Sequence, residues 1–169
     1  MLEKLFDFIL QFINLFRFWE VLDPYQEGVV IRLGKFNRVI ECGFHWIWPL
    51  GVEHVITENV AIESYPLATQ LLTTKDQVVV AIGVAISARV KNVKKFLLEV
   101  ENADAAMVDV LFGVVGQLVN SHTWDELQTS EFKEQLVKES QRSATKFGIE
   151  ILTIGFRDFS KIKAIRIIN

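Results

Sequence analysis

The sequence predicts one α+β domain, and three features of the chain support that prediction. Short β-branched runs separated by glycine turns occupy residues 22–65, and helical periodicity extends over residues 92–147. A last alternating stretch, residues 149–154, predicts a closing strand. Strands followed by helices and a final strand are typical of an α+β fold, and successive hairpins favour largely antiparallel pairing. A chain of 169 residues is long enough for one hydrophobic core.

Residues 73–90 predict the central strand of the sheet. After Asp76 the stretch is almost wholly apolar and rich in β-branched residues, which favour a pleated surface over a helix. Because few polar residues mark a solvent-facing side, we expect the strand to be covered on both faces. Gly83 lies in its middle and predicts a bulge or a close backbone approach. The run is too short and too closely flanked by charges to span a bilayer as a helix.

Glycine turns divide the first half of the chain into predicted strands. Residues 29–33 and 36–40 are expected to form a hairpin around a Gly34-Lys35 turn of the Gly-X type. Two further strands are expected over residues 52–58 and 60–65.

The helical half carries recognisable start and stop signals. Asn92 and Asn102 are expected to cap a short and a long helix, and Ser130 is expected to cap a third. Thr123 begins a capping-box pattern for a single helical turn. Gly148 is expected just after the last helix, where a left-handed residue commonly ends a helix.

Composition and motifs argue against several functions. A net charge of −3 gives no basic surface for nucleic acid. The lone Cys42 excludes an internal disulfide and a cysteine-based zinc site, and we expect an inert thiol, with palmitoylation as the alternative. His45, His54 and His122 lack metal-ligand spacing and are expected to be structural. No nucleophile elbow, phosphate loop or dinucleotide fingerprint is present, so we expect no catalytic residue, metal or cofactor.

Residues 1–19 predict an amphipathic helix with a narrow polar stripe and a wide apolar face. A spanning helix is disfavoured because the longest uncharged run, residues 8–16, is too short. A signal peptide is disfavoured by Glu3, by Asp7 and by the lack of a small-residue cleavage site. We therefore expect a helix lying in the membrane interface, with a helix buried against a partner subunit as the alternative. The expected membrane-binding residues are Phe6, Phe8, Ile9, Leu10, Phe12, Ile13, Leu15, Phe16, Phe18 and Trp19.

Three motifs occur in order with spacing that resembles a known family. Residues 27–36 read EGVVIRLGKF, residues 43–49 read GFHWIWP, and residues 72–76 read LTTKD before the β-branched strand. Residues 148–158, GIEILTIGFRD, add a fourth similarity. Together they resemble the SPFH (band 7) family of stomatins, prohibitins and flotillins, most closely its stomatin branch. The resemblance covers about residues 22–159. Together with the predicted N-terminal helix it gives three expected segments: an amphipathic membrane-associating helix over 1–20, the SPFH domain over 21–159, and a short tail over 160–169.

The resemblance implies a non-catalytic scaffold at a membrane, expected to be the inner or cytoplasmic membrane. Expected partners are membrane lipids, further copies of the chain in a ring or cage, and a membrane protease or channel. Trp46 and Trp48 are either core residues or part of a second loop that dips into the membrane, and the resemblance favours the loop. Members of the family commonly continue into a long charged helix, whereas residues 160–169 are too short for a coiled coil of several heptads. The sequence is therefore either a piece of a longer chain or a minimal member.

The rival interpretation is a small interaction module whose N-terminal helix docks in a groove on one partner protein. Whether that helix binds lipid in the absence of protein discriminates between the two interpretations.

Overall fold

A computed structural model describes residues 18–162 of the chain. The strands are β1 (Trp19–Leu22), β2 (Gln26–Arg32), β3 (Lys35–Ile40), β4 (Gly43–Trp46), β5 (Glu53–Asn59), β6 (Glu63–Pro66), β7 (Gln70–Thr73), β8 (Val79–Val90) and β9 (Ile149–Lys161). The α-helices are α1 (Val93–Leu98), α2 (Ala103–Ser121), α3 (Trp124–Leu127) and α4 (Ser130–Ala144). A 3₁₀ turn, Thr145–Phe147, links α4 to β9. All strand pairs in this part of the chain are antiparallel, which confirms the expected α+β architecture.

Strand β8 is the centre of the main sheet, as the sequence predicts. It pairs with β9 along almost its whole length, while β6 and β7 share its other edge one after the other. The expectation that both faces are covered is wrong in part. Val80, Ile82, Val84 and Ile86 are buried on one face, whereas Ala81, Ala85 and Ser87 on the other are only half-buried. The sequence did not indicate this partial exposure because the side chains on that second face are small.

Gly83 fulfils the expectation of a bulge, whereas the atoms that approach it closely belong to side chains and not to backbone. The register between β8 and β9 shifts between Gly83 and Val84, which marks a bulge. A Cβ atom at Gly83 would lie 2.7 Å from Asp158 Oδ2 and 2.8 Å from Thr69 Oγ1. Those two atoms are themselves joined by a hydrogen bond that Thr69 donates to Asp158. The glycine therefore leaves room for a polar link between β9 and the segment before β7.

Strand β2 separates two hydrophobic cores. Val29 and Ile31 face the large core, which also contains one face of β8 and the inner sides of α1, α2 and α4. Val30 points the other way, as alternation requires, into a small core with Leu22 and Ile40. This small core supports the β1–β4 ribbon.

Helix α2 has the length and apolar composition to cross a membrane, and in this fold it packs one side against the large core. Met107, Leu111 and Val115, spaced four residues apart, are buried on one side against the large core. The side chain of Asn102 accepts a hydrogen bond from the N–H of Ala105 and caps the helix as predicted.

Several local predictions differ from the structure by one or two residues. The β2–β3 turn is Leu33-Gly34, not Gly34-Lys35, since Arg32 pairs directly with Lys35 and both turn residues have positive φ, 49° and 78°. Thr129, not Ser130, caps α4 by accepting a hydrogen bond from Phe132 N–H. Strand β7 was not predicted, because Gln70–Thr73 is short and adjoins polar turn residues.

The predicted helix of residues 1–19 does not extend to its expected end. Trp19 begins strand β1 and pairs with Trp46, and Phe18 lies outside any helix. Glu20, placed in the N-terminal segment by the sequence, is likewise a strand residue. The physical reason is that Leu22 is buried in the small core, and strand alternation lets this segment bury Leu22 while Trp19 and Val21 face outward. Residues 1–17, and with them the rest of the predicted membrane helix, lie outside the described residues.

Candidate functional site

The β1–β4 ribbon presents an apolar face to solvent. Trp19 pairs with Trp46 and Val21 pairs with Phe44, so all four side chains lie on one face of the ribbon. Their exposed fractions range from 46% for Trp19 to 68% for Trp46. The Phe44 and Trp46 rings meet edge to face, with 5.6 Å between their centroids. On the opposite face, Leu22 anchors the ribbon to the small core.

The apolar surface continues into the flanking segments. Phe18 precedes the ribbon and is 42% exposed, and its carbonyl oxygen accepts a hydrogen bond from Ile47 N–H. Beyond β4, Trp48 and Leu50 are 62% and 57% exposed. We call this whole surface the aromatic edge; it consists of Phe18, Trp19, Val21, Phe44, Trp46, Trp48 and Leu50. Contiguous apolar surface of this kind marks an interaction site for protein or membrane.

Leu50 is held outward by an unusual backbone conformation. Leu50 and Gly51 both have positive φ, 61° and 74°, and Val52 N–H donates a hydrogen bond to the Pro49 carbonyl. A positive φ at a leucine is strained, whereas the following glycine adopts it freely. Such strain tends to accumulate at functional sites. The tight turn projects a large apolar side chain from the tip of the loop.

A groove of 470 Å³ runs along one side of the aromatic edge. It is lined by Phe18, Arg38, residues 46–50 and Val52. Arg38 is the one charged side chain in that lining. The volume falls within the range of about 300–1,000 Å³ that is typical of small-ligand sites.

A buried carboxylate holds the loop that carries Trp48. The side chain of Glu53 has no exposed surface, and its Oε2 accepts a hydrogen bond from Trp48 N–H at 3.0 Å. Its Oε1 accepts hydrogen bonds from Arg32 Nε at 2.9 Å, Arg38 Nη1 at 3.2 Å and Asn37 Nδ2 at 2.8 Å. Arg38 also donates through Nη2 to the Trp46 carbonyl oxygen at 2.7 Å. Strands β3 and β5 are thereby tied to both ends of the Trp46–Trp48 segment.

The cluster keeps Glu53 ionised. Burial alone raises the pKa of this carboxyl, but the Trp48 N–H and the two guanidinium groups lower it further than burial raises it. The pKa therefore lies below its ordinary value of 4.5. Two cations surround one anion, so the cluster of Arg32, Arg38 and Glu53 keeps a net charge of about +1 beside the aromatic edge.

The decisive comparison is with protein families. The model of the SPFH domain / Band 7 family matches residues 20–166. The chain belongs to this family. The Glu53 cluster and, apart from Phe18 and Trp19, the aromatic edge lie within the matched SPFH domain, and the resemblance drawn from the sequence motifs is confirmed.

Curated relatives are similar over most of this SPFH domain. Protein HflK of Vibrio cholerae is 27% identical over 78% of this chain and 34% of its own length. The protein of Escherichia coli strain K12 named modulator of FtsH protease HflK is 26% identical over 78% of this chain and 32% of its own. An uncharacterized protein of Methanocaldococcus jannaschii is 26% identical over 78% of this chain and 66% of its own. The chain spans about a third of the length of the HflK proteins, and a closer relation to stomatins stays a prediction.

The structure brings together some of the predicted site residues. Phe18, Trp19, Trp46 and Trp48 share the aromatic edge, although they come from segments separated by more than twenty residues. The remaining predicted membrane residues, Phe6, Phe8, Ile9, Leu10, Phe12, Ile13, Leu15 and Phe16, lie outside the described residues. Val21, Phe44 and Leu50 were missed. An exposed apolar residue in a strand, such as Val21 or Phe44, has the same sequence pattern as a buried one, and Leu50 lies in a turn whose backbone conformation the sequence does not indicate.

The histidines and the cysteine are not part of the aromatic edge. His45 Nε2 lies 2.7 Å from the Glu41 carbonyl oxygen, and His122 Nδ1 lies 2.8 Å from that of Leu118. His54 is exposed in β5, and Cys42 is an exposed free thiol. Within residues 18–162, no group of three His, Cys, Asp or Glu side chains could hold a metal ion.

Proposed function

We propose that this SPFH protein is a non-catalytic scaffold that lies on a membrane and contacts lipid at two places. The first is the apolar face of residues 1–17, and the second is the aromatic edge. The proposal rests on one observation: residues 1–17 lead directly along the chain into the first residues of the aromatic edge. Trp19 begins the ribbon whose outer face is exposed, so a membrane-bound N-terminal segment would bring that face to the bilayer surface.

The chemistry of the aromatic edge supports lipid as its partner. Three of the chain's four tryptophans, Trp19, Trp46 and Trp48, lie in it. Tryptophan favours the headgroup level of a bilayer because its ring is apolar while its N–H can donate a hydrogen bond. Burying seven large apolar side chains also adds a non-directional attraction in proportion to area. The edge thus supplements an anchor that alone would bind reversibly.

We further propose that copies of the protein associate side by side. Weak anchors joined in one assembly bind far more tightly than a single anchor, by avidity. Strands β3 and β5 are the outer strands of their sheet within residues 18–162, and outer strands can pair with another chain. Phe36 and Val39 on β3 are 40% and 43% exposed, which would favour such contact. This assembly would organise lipids or membrane proteins at the inner or cytoplasmic membrane.

A membrane protease is the first client to test, with a channel as the second. The E. coli relative is named as a modulator of FtsH protease, and this chain covers 32% of that protein. Degradation of a reporter substrate by the protease of the same membrane would be measured in cells with and without this protein. A changed substrate half-life would support modulation, whereas an unchanged half-life would leave the scaffold without this client.

Flotation of the full chain with phosphatidylcholine vesicles tests the lipid contact. The variant with Trp46→Ser and Trp48→Ser removes two exposed indoles from the edge. Since burial of one large side chain is worth about 1.5–3 kcal/mol, the loss of both would lower vesicle affinity at least tenfold. The matched control is Leu71→Ser with Ile62→Ser, which removes apolar side chains that are 69% and 63% exposed elsewhere on the domain. The control should float like the unaltered protein.

The interaction-module interpretation gives a different result in the same experiment. If the N-terminal segment and the aromatic edge dock on one partner protein, the full chain will stay at the bottom of the gradient with protein-free vesicles. That result would contradict lipid binding and favour the module.

A further inference from the structure

The groove beside the aromatic edge combines apolar walls with a single positive charge. Trp46, Trp48 and Leu50 are among the apolar residues of the lining, and Arg38 supplies the charge. The Arg38 side chain is 38% exposed and lines the groove. The combination matches a ligand that has an apolar body and an anionic group.

Arg38 keeps hydrogen-bonding capacity after its contacts within the domain are counted. Its Nη1 donates to Glu53 and its Nη2 to the Trp46 carbonyl oxygen, which uses two of the five N–H groups of a guanidinium. The Glu53 carboxylate that could repel an anion is wholly buried and is shared with Arg32. An anion at the groove would therefore meet a guanidinium held in a fixed position.

We propose that this groove seats one anionic phospholipid, with the lipid phosphate on Arg38 and the glycerol and upper acyl chain against Trp48 and Leu50. Charge complementarity favours this occupant, because the cluster carries two guanidinium groups against one carboxylate. Arginine binds phosphate well through its planar set of donors. The inference rests on the proposed membrane contact and names the lipid class that this contact selects.

The test compares affinity for phosphatidylcholine vesicles with affinity for vesicles that also contain phosphatidylglycerol. Unaltered full-length protein should bind the mixed vesicles about fivefold more tightly, the contribution of one basic residue at an anionic surface. Arg38→Gln should abolish this preference while keeping affinity for phosphatidylcholine alone. Arg32→Gln is the matched control. Like Arg38→Gln, it removes one positive charge and one hydrogen-bond donor to Glu53, but Arg32 does not line the groove.

A second measurement uses only the unaltered protein, so its result does not depend on whether the variants fold. Tryptophan emission is recorded with mixed vesicles of one composition, in which bromine is placed either on phosphatidylglycerol or on an equal number of phosphatidylcholine molecules. A seated anionic lipid predicts stronger quenching from brominated phosphatidylglycerol. Equal quenching by the two would overturn the groove site.

The outcomes separate the two proposals. Failure to bind either kind of vesicle would overturn membrane contact and the groove site together. Binding both kinds equally, or equal loss of preference in Arg38→Gln and Arg32→Gln, would overturn the groove site and leave membrane contact standing. Retained preference in Arg38→Gln would likewise overturn it.

Discussion

Glu53 Oε2 accepts a hydrogen bond from the backbone N–H of Trp48 over 3.0 Å. Through this contact a carboxylate with no exposed surface fixes a tryptophan that is 62% exposed. The return contact, from Glu53 N–H to the Trp48 carbonyl oxygen, is 3.3 Å long. The domain thus presents an apolar side chain to its surroundings on a loop that is held rigidly from within.

Replacing Glu53 should lower the free energy of unfolding. Glu53→Gln keeps the shape but leaves Arg32 and Arg38 without their shared carboxylate. Because both arginine side chains stay partly exposed to water, we expect a loss of about 2 kcal/mol, which is typical of hydrogen bonds to a charged group. Urea unfolding of the purified protein measures the loss. The control is Glu150→Gln, which removes a carboxylate that pairs with the exposed side chains of Arg89 and Lys91. A loss for Glu53→Gln no larger than for the control would contradict a stabilising role for the cluster.

The same cluster predicts a pH dependence. Because the folded-state pKa of Glu53 lies below 4.5, its ionised form stabilises the fold, and unfolding raises the pKa. This contribution is fully present above 4.5 and is lost as the pH falls through the folded-state pKa. The gap in unfolding free energy between unaltered protein and Glu53→Gln should therefore narrow in acid. Urea unfolding at neutral and acidic pH tests this, and a gap that stays constant would count against it.

Gly83 should resist substitution. A Cβ at this position would lie 2.7 Å from Asp158 Oδ2, so Gly83→Ala must displace the Thr69–Asp158 hydrogen bond. We expect a loss of roughly 1 kcal/mol, the net contribution of such a hydrogen bond. Gly113→Ala is the control, because a Cβ there has open space around it and alanine favours the α2 helix by up to about 1 kcal/mol. Thermal and urea unfolding should shift in opposite directions for the two variants.

The start of α4 offers a test between adjacent residues. Thr129 Oγ1 accepts a hydrogen bond from Phe132 N–H at 3.3 Å and donates one to the Glu126 carbonyl oxygen at 2.7 Å. Thr129→Ala should cost about 1 kcal/mol of unfolding free energy, whereas Ser130→Ala should change it by less than about 0.5 kcal/mol. A larger loss of unfolding free energy for Ser130→Ala than for Thr129→Ala would place the cap at Ser130, as the sequence had suggested.

Local signals in the sequence were sufficient for most elements of the fold. The β-branched run around Gly83 predicted the central strand and its bulge, and Asn92 and Asn102 predicted two helix starts. These features depend on neighbouring residues alone, so periodicity and side-chain capping reveal them. Errors of one residue in position arose where either of two adjacent residues could fill the same role, as with Thr129 and Ser130 for the cap of α4.

The candidate site depended on contacts that sequence cannot show. Trp19 was assigned to a helix because its neighbours are apolar, yet its pairing with Trp46 bridges more than twenty residues. Nothing near Glu53 in sequence identifies it as buried, since its partners Arg32 and Arg38 come from other strands. Trp46 and Trp48 were recognised as candidates, but their exposure was decided by the ribbon and its turn.

Quenching of single-tryptophan variants by brominated phosphatidylcholine tests membrane contact by the aromatic edge most directly. One variant keeps only Trp48, which is 62% exposed in the edge, and the other keeps only Trp124, which stacks on Phe159 with 5.1 Å between ring centroids. The remaining tryptophans are replaced by phenylalanine. We predict that vesicles quench the emission of Trp48 and leave that of Trp124 unchanged. Unquenched Trp48 emission in protein that floats with the vesicles would contradict the account.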